Sequence, residues 1–145
     1  MKYMTEIEID RRRTMVIELF DNPDNLKHWQ PGFQSFEHLS GTRGQPGAKS
    51  KLVFLNRGRT MEMIETITVR NLPHEFSGTY DIKGIYNEVR NYFTEVAADK
   101  TKWVSHIEFR FSGIGMKILV ALFPGMFKKQ SQKFMQLFKE FAEKQ

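Results

Sequence analysis

Apolar and polar positions alternate along most of the chain, and from residue 114 onward the spacing becomes helical. Tyr3, Thr5, Ile7 and Ile9 fall on one side of a first strand, with Glu6, Glu8 and Asp10 on the other. Met15, Val16, Leu19 and Phe20 then recur at helical spacing between Arg13 and Phe20. Asp21-Asn22-Pro23 stops that helix before a second short one around Asp24 to His28. Gln30-Pro31-Gly32 is a turn, and Gly41, Gly44, Pro46 and Gly47 punctuate a hairpin between strands near Phe33 to Ser40 and Ala48 to Asn56. After Arg57-Gly58-Arg59, a strand from Thr60 to Arg70 places Met61, Met63, Glu65, Ile67 and Val69 on one face, and Glu62, Thr66, Thr68 and Arg70 on the other. Strands at Glu75 to Ile82, Ile85 to Ala97 and Thr101 to Ser112 follow, the last with Trp103, Ile107, Phe109 and Phe111 on its apolar face. The connections are too short for parallel crossovers, so the sheet is antiparallel.

The segment Ile114 to Gln145 is different. Phe127, Phe134, Phe138 and Phe141 make one apolar stripe, while the lysines mostly take other faces. A stripe so rich in rings must be buried over a comparable area, and the face of the sheet is the one candidate. Pro124 lacks an amide hydrogen, so the helix kinks or restarts near Pro124-Gly125. A kink over a curved sheet leaves a gap that admits a ligand. Alternatively, Pro124 is the first-turn residue of a second helix.

At 145 residues, 40% hydrophobic and 13% aromatic, the composition fits a single globular domain spanning 1–145. The absence of cysteine excludes disulfides, thiolate metal sites and cysteine nucleophiles, and fits a reducing compartment. Met1 to Asp10 lacks the continuous apolar core of a signal peptide, and the longest apolar run, Ile118 to Gly125, is well short of the roughly 20 residues of a membrane span. A cytoplasmic protein without a transmembrane segment is expected. The net charge of +5 is scattered apart from Arg11 to Arg13 and the lysines of the last helix, with no motif that points to nucleic acid. Arg11 to Arg13 either form a solvated turn or face an anionic surface. His28, His38, His74 and His106 have no metal-ligand spacing, and no nucleophile elbow, P-loop or dinucleotide glycine pattern occurs, so neither metal nor cofactor is expected. Nothing in the sequence bears on oligomeric state.

Several further residues fall in a recognisable order. Trp29 with Pro31-Gly32 follows the short helices, Glu65-Thr66-Ile67 leads to Leu72-Pro73, and Thr101 with Trp103 opens the last strand. The Gly113 to Lys117 turn, Phe127-Lys128-Lys129-Gln130 and Phe138-Lys139-Glu140-Phe141 complete the order. Over essentially its whole length the chain resembles the SRPBCC superfamily, which includes START domains, birch-pollen-allergen-like proteins and polyketide cyclase/dehydrase-like proteins. The resemblance implies an α+β helix-grip fold. In that fold a seven-stranded curved antiparallel sheet wraps around a long C-terminal helix, two short helices follow strand one, and an apolar cavity is enclosed. Family members bind lipids, sterols, hormones, polyketides or quinones, and some catalyse cyclisation or dehydration.

Within such a cavity, Glu65, Tyr80, Asn87, Asn91 and Ser105 share strand parity with apolar neighbours and so face inward. A buried Glu65 would have a raised pKa and could act as acid or base. The alternatives are that it bonds a side chain on a neighbouring strand or reaches solvent through a bulge. Tyr80, Asn87 and Asn91 either orient a ligand carbonyl or hydroxyl, or satisfy one another or a buried water. Trp29 either closes the mouth or packs the short helices. The candidate apolar lining comprises Met61, Met63, Ile67, Val89, Trp103, Ile107, Met126, Phe127 and Phe134. Three functions are therefore in view. The first is binding or carrying of a small hydrophobic ligand. The second is a cyclase- or dehydratase-like enzyme using Glu65. The third is a protein-interaction or membrane-surface adaptor in which the basic terminal helix docks a partner, as in co-chaperone and quinone-handling relatives.

Overall fold

The computed structural model describes residues 1–145. Period-two alternation resolves into seven strands: β1 (Lys2–Ile9), β2 (Phe33–Ser40), β3 (Lys49–Asn56), β4 (Arg59–Asn71), β5 (Glu75–Ile82), β6 (Ile85–Ala97) and β7 (Lys100–Phe111). They form one antiparallel sheet in the order β1-β7-β6-β5-β4-β3-β2. The first five hairpins follow from short turns, and β1 joins the far side by pairing with β7. Four helices complete the chain: α1 (Arg13–Asp21), α2 (Leu26–Trp29), α3 (Ile114–Leu122) and α4 (Met126–Glu143). A 3₁₀ turn at Pro23–Asn25 leads into α2, and the Asn22 side chain caps it by accepting from the Asp24 amide at 3.0 Å.

The sheet departs from simple alternation at several points, one of which redirects a charged side chain. A register shift between Ile67 and Val69 inserts a bulge in β4 against β5. Beyond it Val69 pairs with Ser77 on the outer face, rather than following Ile67 inward, and Arg70 pairs with Phe76. An extra residue on one strand inverts the parity of all that follow it. The inverted Arg70 meets α1, donating twice to Asp21 at 2.7 Å and once to the Gly44 carbonyl at 3.2 Å, with its guanidinium 5.6 Å from the Phe76 ring centre. That bidentate pair fastens the C-terminal end of α1 to the sheet.

Two arginines of the Arg11 to Arg13 run are also tied down. Arg11 donates to the carbonyls of Asp10 and Glu143, a cation at the C-terminal end of α4 where the helix dipole favours it. Arg13 reaches the Phe93 carbonyl, and only Arg12 is fully exposed.

The core occupies one end of the concave face. Phe20 lies 5.1 Å from Phe93, 5.3 Å from Trp103, 5.8 Å from Phe138 and 5.9 Å from Trp29, mostly edge to face. Ile9, Val16, Ile17, Met135 and Ala142 fill the space around these rings. Trp29 thus packs the short helices onto the sheet. The α4 stripe divides in the same way. Phe138 is fully buried and Phe134 and Phe141 pack at its margin, whereas Phe127 stands apart against Phe109 and Phe111 at 4.9 and 5.6 Å.

α4 runs beside β1 as well as over the core. Gln132 Nε2 donates to the Glu6 carbonyl at 3.1 Å, Lys139 Nζ to the Glu8 carbonyl at 2.8 Å, and the Asp10 amide to the Glu143 carboxylate at 2.8 Å. Pro124 lies in the Phe123-Pro124-Gly125 connection, and α4 begins at Met126. The proline therefore separates two helices and is neither a kink nor the first-turn residue of α4.

Phe138 makes the most ring contacts of any α4 residue and has no exposure, so its loss leaves a cavity that rigid neighbours cannot fill. Phe138→Ala is expected to lower unfolding free energy by about 3–5 kcal/mol in urea denaturation. A loss below about 1 kcal/mol would mean that α4 is not held by this cluster.

Candidate functional site

The strand registers set one row of residues side by side across the middle of the concave face. Ser50 on β3 is opposite Glu65 on β4, Glu65 opposite Tyr80 on β5, Tyr80 opposite Asn87 on β6, and Asn87 opposite Phe109 on β7. Glu65, Tyr80 and Asn87, widely spaced in sequence, thus become neighbours. Burial pushes the Glu65 carboxyl above the ordinary carboxylate range, and a hydrogen bond with Tyr80 offsets part of that rise. Burial also lifts the Tyr80 hydroxyl well above its usual value, reinforced by the negative charge of Glu65 and the bond between them. Tyr80 therefore keeps its proton at neutral pH, opposite the Glu65 carboxyl. Asn87 Oδ1 is buried without a partner, an acceptor left open beside that pair.

A second polar cluster lies two rows nearer the core. Asn91 Oδ1 accepts from Trp103 Nε1 at 2.9 Å and from Ser105 Oγ at 3.0 Å, and all three residues are buried. Trp103 also faces the rings of Phe93 and Phe138. Of the sequence candidates, Asn91, Trp103 and Ser105 are therefore partners of one another. Ile67 and Ile107 are buried in the adjoining row, while Val89 between them is half-buried.

On the far side of Glu65, Tyr80 and Asn87 the face is open. Met61, Met63, Ile82, Ile85, Phe109 and Phe111 are all half-buried. α3, which follows β7 at this end, has no buried residue. The cavity implied by the resemblance is accordingly a groove without a roof. Its floor is the sheet and one wall is the start of α4, where Phe127 covers Phe109 and the Tyr3 hydroxyl bonds Ser131 at 2.7 Å. Phe134 lies toward the core, and Met126 is exposed at the open end.

Two depressions lie elsewhere. One of about 220 Å³ is lined by Trp29, Pro31, Phe33 and Leu137, and one of about 440 Å³ lies on the outer face between Val69, Ser77, Tyr86 and Tyr92. Neither includes Glu65, Tyr80 or Asn87.

Ser50, Ile82, Ile85, Phe109 and Phe111 were not among the sequence candidates for the site. Strand parity pointed to the two phenylalanines, which share a face with Trp103 and Ile107. The place of Ser50 beside Glu65 depends on the β3–β4 register, which parity does not supply.

No family model matches the chain, and no curated protein matches it by sequence. Solved structures do match it over almost all of its length. Ara h 8.0201 superposes with a TM-score of 0.79 at 15% identity, over 100% of this chain and 99% of the other. The Zhui aromatase/cyclase from Streptomyces sp. R1128 gives 0.78 at 11% identity, over 99% and 93%. A START superfamily protein from Mycobacterium smegmatis gives 0.77 at 11% identity, over 99% and 97%. Likeness at these identities is likeness of fold, and the chain has the helix-grip fold that these structures share.

Proposed function

We propose that the chain binds a small, mostly apolar molecule in the groove between the sheet and α4. The observation that carries this reading is the unpartnered Asn87 Oδ1, set beside the Glu65–Tyr80 pair on a floor of Met, Ile and Phe. Apolar sites of this kind use a few convergent polar groups to orient what they hold. The ligand would lay a ring or acyl body along Met61, Met63, Ile85 and Phe109 and present a hydrogen-bond donor to Asn87. A lipid, sterol, quinone or polyketide-like molecule bearing a hydroxyl group has that chemistry. Asn91, Trp103 and Ser105 form the closed end of the site and hold its shape.

Protein purified without detergent is expected to carry such a molecule, detectable by native mass spectrometry, and the stripped protein to melt higher when it is restored. At a hundredfold excess over Kd the gain is about 2.7 kcal/mol. Asn87→Leu should weaken binding by roughly three- to tenfold, the value of one hydrogen bond. Absence of any co-purifying mass, together with no melting shift across fatty acids, sterols, quinones and aromatic polyketides, would count against the proposal.

A second reading, favoured by the raised pKa of Glu65, is acid–base catalysis on the bound molecule, as in a cyclase or dehydratase. The aromatase/cyclase among the structural neighbours is consistent with it. Glu65→Gln would then lower turnover of an identified substrate by about 10²–10⁴-fold, whereas unchanged turnover would leave binding alone.

The same variant tests the environment of the carboxyl group. A carboxyl whose folded pKa lies above its unfolded value stabilises the fold fully below the ordinary carboxyl range, and that contribution is lost as pH rises through the folded pKa. Glu65→Gln should therefore melt higher than the parent at pH about 8, and the difference should shrink as pH falls below about 4. A parent that is the more stable of the two at high pH would show the carboxylate to be favourably solvated.

A further inference from the structure

We propose that α3 and the start of α4 dock on the surface of an anionic lipid bilayer. The α3 sequence, IGMKILVAL, is apolar on every face except for Lys117. Helices with that composition are normally enclosed by protein, yet no residue of α3 is buried and only Met116, Leu119 and Val120 are half-buried. Ile114, Ile118 and Leu122 recur at every fourth position and are 77%, 54% and 67% exposed, so one face of the helix is a bare aliphatic stripe. Phe123 and Met126 extend it, at 55% and 40%. A contiguous apolar patch of this kind marks a surface that another apolar phase covers.

Charge selects that phase. The segment 109–139 carries six of the chain's 22 basic residues and none of its 17 acidic ones. The remainder of the chain, 16 basic against 17 acidic, is nearly neutral, so the whole positive excess belongs to the stretch that holds the patch. Lys117, Lys128, Lys129 and Lys133 are all exposed. An apolar helix flanked only by lysines matches an anionic headgroup layer over acyl chains. A second copy of this chain would bring the same charge, and like charge opposes that pairing. α3 is about 13 Å long, suited to lying in the interface. No helix of the chain is long and apolar enough to cross a membrane. Docking does not depend on the groove being filled, so it stands apart from the ligand reading.

The test is co-sedimentation of the full-length protein with phosphatidylcholine vesicles, with and without phosphatidylglycerol. Binding is expected only when phosphatidylglycerol is present. It should weaken by about tenfold or more between about 0.1 M and about 1 M salt, as the screening length falls from about 10 Å to about 3 Å. Lys128→Glu with Lys129→Glu should weaken it to a similar extent. Ile118→Glu with Leu122→Glu should abolish it while leaving the melting temperature unchanged, because both side chains are exposed. Equal binding to both vesicle types, binding to neither, or undiminished binding of the Ile118/Leu122 variant would overturn the proposal. So would a concentration-dependent dimer in analytical ultracentrifugation that the Ile118/Leu122 variant dissolves and that shows no vesicle binding. That result would assign the patch to a second copy.

Discussion

The contact on which the rest of the molecule depends is the ring cluster in which Phe20 from α1, Trp29 from α2, Phe93 and Trp103 from adjacent strands, and Phe138 from α4 meet within about two ring widths. It joins elements more than a hundred residues apart in sequence. It holds both short helices and the terminal helix on the same part of the sheet. Because the cluster is at one end, it fixes the C-terminal half of α4 closely and leaves the N-terminal half with lighter contacts through Tyr3 and Phe127. The open groove is the complement of that asymmetry, since a core concentrated at one end leaves the other with nothing to fill it.

The boundary between the two ends is chemical as well as spatial. Asn91 sits between an indole from the core and the hydroxyl of Ser105, and its Oδ1 accepts from both. Two rows further on, satisfaction stops. Glu65 and Tyr80 face each other across the β4–β5 register, but the Asn87 acceptor has no partner. The row that is satisfied belongs to stability, and the next polar row keeps an acceptor in reserve.

Alternation along the strands made most of the fold legible. β5 and β6 lie where the pattern put them, and the inward set Met61, Met63, Glu65 and Ile67 shares one face because no irregularity intervenes. The pattern failed where the backbone departs from its own period. Val69 and Arg70 exchange faces across a bulge that depends on how β4 meets β5, which neither strand encodes alone. Helical spacing was a similar case. It identified the phenylalanines of α4 as a core stripe but could not show that α3, equally apolar, would be left uncovered. Spacing reports which residues share a face, not whether anything lies opposite. Parity put Glu65, Tyr80 and Asn87 on the inward face, and register alone made them neighbours.

The donors that α4 extends to β1 have a consequence beyond holding the helix in place. β1 is a margin of the sheet, and the carbonyls of Glu6 and Glu8 that it turns outward are the acceptors an incoming strand from another molecule would need. With Gln132 and Lys139 already seated on them, the sheet cannot be lengthened through that side. At the opposite margin β2 carries two register shifts against β3, which break up the regular ladder a docking strand would copy. A protein with so much apolar surface at one end therefore has both of its lateral routes to fibrous polymerisation obstructed.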